Sequence, residues 1–331
     1  MNTDTLDMAP SLDSIRQSVK TELEATNQLI QAQLFSEVPL IQNIVQHIIQ
    51  SGGKRIRPLL VLLIAKALDY EGGENIELAT VIEFIHTATL LHDDVVDESL
   101  LRRGRKTANA IWDNKASVLA GDFLYSRAFQ LLAKRSNVPV TKLLAETTNA
   151  IAEGELWQLM NRDDANLAEE HYFKVIHYKT AKLFAAAAAI GAMIASDDTA
   201  IQYAAYNYGK HLGIAFQLID DLLDYTSDAE TLGKNIGDDL ADGKMTLPLI
   251  HALQHCDTNT VERIKSALKN HDLQELELIK TVIANTNAIH YTQQKAQEHI
   301  QMANESLQAL PSSTALEALQ ELAHFTLTRR S

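Results

Sequence analysis

Cysteine is all but missing from these 331 residues, with Cys256 the single instance. One thiol excludes an intrachain disulfide framework and any zinc site built on cysteines, and it points to a reducing, cytoplasmic setting. Proline is nearly as scarce: Pro10, Pro39, Pro58, Pro139, Pro248 and Pro311 are the full set. They fall at the starts of apolar-periodic segments, where a helix tolerates a residue that lacks an N–H. Thirteen glycines are also few for this length. No apolar run reaches the roughly 20 residues that a membrane span requires. The longest, Leu183 to Ala195, has 13 residues and is alanine-rich, so it reads as a buried helix whose small side chains permit close packing. Met1 to Ser11 lacks a basic stretch followed by an apolar core, which argues against a signal peptide; residues 1–10 are expected to be disordered. Positive charge is in deficit, 29 Lys and Arg against 43 Asp and Glu, for a formal net charge of −14. That balance disfavours nucleic acid and anionic membranes as partners.

What is present is helix. Hydrophobic residues make up 46% of the chain and recur at three- and four-residue spacing, while strand-like alternation is nearly absent. The pattern predicts an all-α protein with helices over 11–34, 38–50, 57–69, 74–97, 116–134, 139–161, 168–178, 180–195, 199–225, 245–255, 259–269, 272–285, 287–309 and 313–328. Connections are short and no low-complexity linker or repeat period divides the chain, so residues 1–331 are expected to form one large helical domain.

Two stretches stand out from this apolar background. Asp93-Asp94-Val95-Val96-Asp97 and Asp220-Asp221-Leu222-Leu223-Asp224 use the same D-D-x-x-D spacing twice. On a helix the first and last Asp of each stretch are i and i+4, on one face about 5 to 6 Å apart at Cβ. Clustered carboxylates stay ionised together only if a cation compensates them. Mg²⁺ suits this role because it takes a few carboxylate oxygens and completes its shell with water and substrate phosphate. Two such clusters facing one another would hold a diphosphate through metal ions.

The cations are local. Ser51 to Pro58 combines Gly52 and Gly53 with Lys54, Arg55 and Arg57, so its backbone can approach an anion while the side chains supply charge. Arg102, Arg103, Arg105 and Lys106 form a second cluster. The segment Ser227 to Lys244 carries Gly233-Lys234 and Gly243-Lys244, lysines on glycine hinges as a lid over phosphate would have them.

These motifs occur in one order: Gly52-Gly53-Lys54-Arg55-Ile56-Arg57-Pro58, Glu83-Phe84-Ile85-His86, Leu91-His92-Asp93 through Asp97, Arg102-Arg103-Gly104, Lys179-Thr180, Gln217 through Asp224, Gly233-Lys234 and Asp242-Gly243-Lys244. That set resembles the trans-isoprenyl (polyprenyl) diphosphate synthases over about residues 50 to 250. The resemblance implies an isoprenoid-synthase fold, a barrel of long helices around a central cavity, and a homodimer. It implies Mg²⁺, three ions in the substrate complex, held by Asp93, Asp97, Asp220 and Asp224, with Asp94 and Asp221 in direct or supporting roles. Lys54, Arg57, His86 and Arg103 would bind isopentenyl diphosphate. Arg102, Lys179, Thr180, Gln217, Lys234 and Lys244 would serve an allylic diphosphate, with Lys179 and Lys234 also catalytic. The implied reaction is head-to-tail (1′-4) condensation of isopentenyl diphosphate onto an allylic diphosphate such as farnesyl diphosphate.

Product length follows from the turn before the first motif. Short-chain members of the family resemble one another in placing an aromatic residue four or five positions before the first Asp, where this chain has Thr89 and Ala88. Small residues there imply a deeper tunnel and a long, octaprenyl-type product for a quinone side chain, with Phe129, Leu132 and Met160 as candidates for its floor. A shorter geranylgeranyl or farnesyl product is the alternative.

Other readings exist for the same residues. His92-Asp93 would also suit a metal-dependent phosphohydrolase, but no later histidine lies beside Asp220 or Asp221. Glu83-Phe84-Ile85-His86 matches half of a di-metal bundle motif and has no partner, so it reads as chance. A terpene cyclase needs no second anion pocket, and a regulatory synthase subunit typically loses motif residues that are all kept here. Arg329-Arg330-Ser331 reads as a frayed, solvated terminus.

Overall fold

The computed structural model describes residues 11–135, 137–226 and 237–329. Lys234, Gly233 and the N-terminal ten residues lie outside the described residues. In chain order the helices are α1 (Leu12–Gln17), α2 (Lys20–Gln33), α3 (Pro39–Gln50), α4 (Ile56–Ala67) and α5 (Glu74–Val96). A two-stranded ribbon follows, β1 (Leu101–Arg102) antiparallel to β2 (Arg105–Lys106). Then come α6 (Ala108–Ile111), α7 (Asn114–Arg135), α8 (Val138–Met160), α9 (Glu169–Ile176), a π-turn (His177–Ala181), α10 (Lys182–Ala195) and α11 (Thr199–Thr226). The remainder is α12 (Asp238–Ala241), α13 (Leu247–Gln254), α14 (Thr258–Asn270), α15 (Leu276–Asn285), α16 (Ala288–Ser306) and α17 (Thr314–Thr328).

The centre belongs to α4, whose residues from Pro58 to Ala65 are all buried. A helix apolar on every side has no solvent face to present, so it is surrounded. α5 and α10 pack against it, and α10 brings a run of five buried alanines, Ala185 to Ala189, that allows close approach to α4 and α11. Outside this layer α7 covers α5, and α16 covers α11. One apolar cluster runs from Ile15 to Ala323 and joins these layers. Glu169–Ala195 is long and apolar enough to cross a membrane, but 67% of its most apolar window is buried inside the protein, as suits a core helix.

Three differences from the sequence expectation matter. The helix predicted over 11–34 breaks at Val19 (φ −132°), although no glycine or proline marks the place. The predicted helices 168–178 and 180–195 are joined without a gap through the π-turn, because no breaker lies between them. The ribbon at 101–106 and the short helices α6 and α12 are too brief to leave a periodic signal.

Candidate active site

Both acidic motifs sit in the last turns of long helices, Asp93 and Asp94 in α5 with Asp97 as its C-cap, and Asp220, Asp221 and Asp224 in α11. A helix C-terminus carries partial negative charge, so placing carboxylates there deepens the need for cations. A cavity of about 220 Å³ is lined by Asp93 and Asp97 on one side and Asp220, Asp221 and Asp239 on the other, with Arg102, Lys179, Thr180, Gln217 and Lys244 between them. Leu90, Val175 and Ile176 supply apolar wall.

Two lysines already balance part of this charge. Lys244 Nζ donates to Asp242 Oδ2 at 2.7 Å and to Asp97 Oδ2 at 3.2 Å, across 147 residues of sequence. Burial opposes its charge, but Asp97, Asp239 and Asp242 hold the ammonium above its ordinary range. Lys179 Nζ donates to Glu155 Oε2 at 2.7 Å. Burial works against this ammonium too, and Asp93, Glu155 and Asp97 more than offset it. Asp97 in turn stays below the usual carboxylate range despite its burial, through Lys244 and then Lys179. Around α11 a chain of hydrogen bonds fixes the second motif: Thr180 Oγ1 donates to Gln217 Oε1 (2.9 Å), Gln217 Nε2 to Asp221 Oδ1 (2.7 Å), and Tyr172 Oη to Asp221 Oδ2 (2.5 Å). Asp221 is nonetheless pushed up, by burial first and then by Asp239.

A second cluster is cationic. Arg57 donates from Nη1 to His86 Nε2 at 3.1 Å and lies 4.4 Å over the Phe184 ring. Burial and then Arg57, Arg103, Arg102 and Arg55 hold His86 well below its ordinary pKa, so the imidazole is neutral and accepts. Arg103 reaches in past Gly53, where a Cβ would stand 2.8 Å from its Nη1 and displace it. Burial, then Arg329 and Arg103, bring Lys54 down to about 8, and burial foremost brings Arg57 down to about 10. Cations whose charge is disfavoured in this way await an anion.

Several residues stand elsewhere than the sequence suggested. Asp94 is 1% exposed and accepts from Arg102 Nε at 2.8 Å, so it anchors the ribbon and does not line the cavity. Asp224 is fully buried and accepts from the Asp239 backbone N–H at 3.3 Å; Asp239 lines the cavity and Asp224 does not. Neither Ala88, fully buried, nor Thr89 is a lining residue, and Leu90 is the α5 residue one turn before Asp93 and Asp94 that is. Met160 is 79% exposed and forms no interior floor, because the last turn of α8 presents it to solvent. Phe129 is half-buried against the core and Leu132 is buried.

One turn of α5 pairs Glu83 with Arg55 and His86 with Arg57, so the i, i+3 spacing of Glu83-Phe84-Ile85-His86 holds these two arginines and gives the segment a role other than a di-metal motif. One reading is corrected outright. Arg329 is not frayed, since its Nη2 donates to the Phe216 carbonyl at 2.9 Å and to Asp220 Oδ1 at 3.2 Å, over the Phe216 ring at 4.0 Å. His92 faces α7, 3.2 Å from the Val118 carbonyl and 3.4 Å from Asp122, which removes it from any hydrolase centre at the cavity. Sequence reasoning also passed over Glu155, Tyr172 and Asp239. Only Asp239, beside Asp238 and Asp242, had a visible signal.

The donor set fits a hard divalent ion. It is all oxygen, Asp221 cannot ionise comfortably without added positive charge, and Glu155 is likewise pushed up by burial and by Asp93 and Asp97 against the pull of Lys179. Mg²⁺ takes one or two carboxylates and draws its remaining ligands from substrate phosphate and water, so Asp93, Asp97 and Asp220 are the residues that could hold it.

A family model for polyprenyl synthetases matches residues 38–286. The chain belongs to the polyprenyl synthetase family. It is a prenyltransferase with the isoprenoid-synthase fold, and its chemistry is long-chain trans-prenyl diphosphate synthesis. It is 45% identical over 320 residues to the octaprenyl diphosphate synthase of Haemophilus influenzae, covering 96% of this chain and 97% of that one. The octaprenyl diphosphate synthase of Escherichia coli is 45% identical over 322 residues, covering 96% and 99%. A solved polyprenyl synthase from Caulobacter crescentus CB15, complexed with calcium and isoprenyl diphosphate, matches with a TM-score of 0.95 at 40% identity, covering 98% of this chain and 99% of that one.

Proposed function

We propose that this polyprenyl synthase is Mg²⁺-dependent and extends an allylic diphosphate, such as farnesyl diphosphate, with isopentenyl diphosphate to an octaprenyl-class product. The observation that carries the reading is the meeting of two unlike anion sites: Asp93, Asp97, Asp220 and Asp221 with Lys179 and Lys244, beside Lys54, Arg57 and Arg103. The two are neighbours, since Lys54 feels the charge of Asp220, and Arg57 that of Asp220 and Asp93. Two separate sites call for two diphosphates, hence for joining rather than hydrolysis.

Asp93, Asp97 and Asp220 would hold the metal, and the lining position of Asp239 supports it over Asp224 as a further ligand. Mg²⁺ supplies charge neutralisation that makes diphosphate a better leaving group. Lys179, Lys244 and Arg102 direct N–H donors at the same anion and stabilise the charge that grows as the C1–O bond breaks. Lys54, Arg57 and Arg103 hold the isopentenyl diphosphate so that its double bond meets the allylic C1. The π pair forms the new C–C bond, the pair of the C1–O bond leaves with diphosphate, and a proton lost from isopentenyl C2 to the departing diphosphate restores a double bond. Leu90, Val175 and Ile176 exclude water from the cation.

Exposed Leu119 on α7 and Leu156 and Leu159 on α8 support a homodimer, the single free Cys256 supports a cytoplasmic location, and the continuous core supports one domain. The octaprenyl relatives support a quinone side chain as the product's destination. Incubating the purified protein with Mg²⁺, farnesyl diphosphate and labelled isopentenyl diphosphate, then sizing the chains, tests the assignment. Chains of about eight isoprene units are expected; no elongation, or arrest after one added unit, contradicts it.

A further inference from the structure

The residue at this site that neither substrate explains is Glu155. It sits on α8, its carboxylate 2.7 Å from Lys179 Nζ and close enough to Asp93 and Asp97 to feel their charge. A third carboxylate beside two others opposes the binding of a polyanion, so its value must come from what it does to a cation. Its backbone setting is equally specific. At Gly154 a Cβ would stand 2.7 Å from the backbone nitrogen of Lys179, so α8 rests directly on the π-turn that carries that lysine. Single π-turns within α-helices frequently mark functional sites, and this one places Lys179 and Thr180 on the cavity wall.

Lys244 shows what a lysine does here. Asp242 retains it at 2.7 Å, and it still reaches Asp97 at 3.2 Å. Lys179 shares one attractor with Lys244, Asp97, and feels Asp93 as well, while Glu155 is the group to which it hydrogen-bonds. Without Glu155 its ammonium would turn to Asp93 and Asp97 and occupy the oxygens a metal ion needs.

We propose that Glu155 is a positioning residue that holds the Lys179 ammonium on the α8 side of the cavity, aimed at the allylic diphosphate and kept off Asp93 and Asp97. This rests on the synthase reading above. The test is calorimetric binding of an unreactive allylic analogue, farnesyl thiolodiphosphate, to the full chain over a Mg²⁺ titration, so that no turnover is required. In Glu155→Gln the Mg²⁺ needed for half-maximal binding is expected to rise roughly five- to tenfold, the scale of one rearranged ion pair in a partly buried site. Glu155→Asp should fall between Gln and wild type. The double variant Glu155→Gln/Lys179→Met, which removes the competing ammonium, should return the Mg²⁺ requirement toward that of Lys179→Met alone. The KM for isopentenyl diphosphate should not move in Glu155→Gln, because that substrate binds at the other cluster. An unchanged Mg²⁺ requirement in Glu155→Gln, or an increase that persists undiminished in the double variant, overturns the proposal. Should Glu155→Gln fail to fold, a wild-type Mg²⁺ requirement in Glu155→Asp does the same. If the wild-type chain shows no Mg²⁺-dependent binding of the analogue, the synthase reading fails rather than this inference.

Discussion

Glu83 illustrates how one buried side chain can serve a site it never touches. It is 4% exposed and pairs with Arg55, which starts α4 in the left-handed region at φ 52° and carries the glycine loop. Replacing Glu83 with Gln leaves that guanidinium short of its counter-charge. A stability loss of about 3 kcal/mol is expected, the usual scale for breaking a buried pair. The KM for isopentenyl diphosphate should rise with it, since Lys54 and Arg57 flank Arg55; denaturant unfolding and steady-state kinetics read both effects. At this scale the sequence was legible wherever chemistry was concentrated. Paired aspartates and a basic glycine loop announce themselves by local spacing. Glu155, Tyr172 and Arg329 do not, because each acquires its role only from a partner far along the chain: Lys179, Asp221 and Asp220. Arg329 also lies near a terminus, where fraying is the ordinary expectation.

Among the elements, the π-turn sets Lys179 and Thr180 on the cavity wall. Gly154→Ala would press a Cβ against the Lys179 backbone nitrogen, and neither helix can yield without moving Lys179 and Thr180. Overpacking of this kind costs about 1–3 kcal/mol. A fall in kcat larger than any change in the KM for isopentenyl diphosphate is expected, measurable in the elongation assay. The seam between α11 and α16 gives a pH prediction. His211 Nδ1 lies 2.9 Å from His299 Nδ1, and burial, then His211, lowers His299 to about 4; burial, then Lys182 and Lys210, lowers nearby His177 to about 4. The unfolded imidazoles take up protons near 6.5, so the stability these groups confer is complete above that pH and is lost as pH falls from 6.5 to 4. The melting temperature should drop across that window, and His299→Phe should flatten the dependence. Periodicity located the long helices because each buries a continuous apolar face. It missed the break at Val19 and ran past the π-turn, since neither is marked by proline or glycine.

At the level of the whole molecule, α5 and α10 both pack on α4 and on each other at the centre, and α10 in turn packs on α11, so the two acidic helix ends reach one cavity from different sides. Chain length belongs to this scale, since it depends on how deep the space beyond Leu90 runs. Leu90→Phe should shorten the product by filling that wall while leaving Mg²⁺-dependent turnover measurable, and chromatographic sizing of the products checks it. The all-α class was legible from three- and four-residue apolar spacing, and the isoprenoid-synthase architecture from the family resemblance that the ordered motifs carry. In the turn before the first motif, Leu90 lines the cavity and Ala88 and Thr89 do not, a side-chain direction that spacing alone does not give. The central claim is that one cavity joins two anion sites of different make-up. Its most direct measurement is a paired determination of both substrate KM values in Arg57→Ala and Lys179→Ala, with Mg²⁺ saturating. Arg57→Ala should raise the KM for isopentenyl diphosphate about tenfold or more, the scale of one lost charge-assisted contact, and leave the allylic KM in place. Lys179→Ala should do the reverse and lower kcat. Equal effects of both variants on both substrates would mean a single shared anion site and would contradict the account.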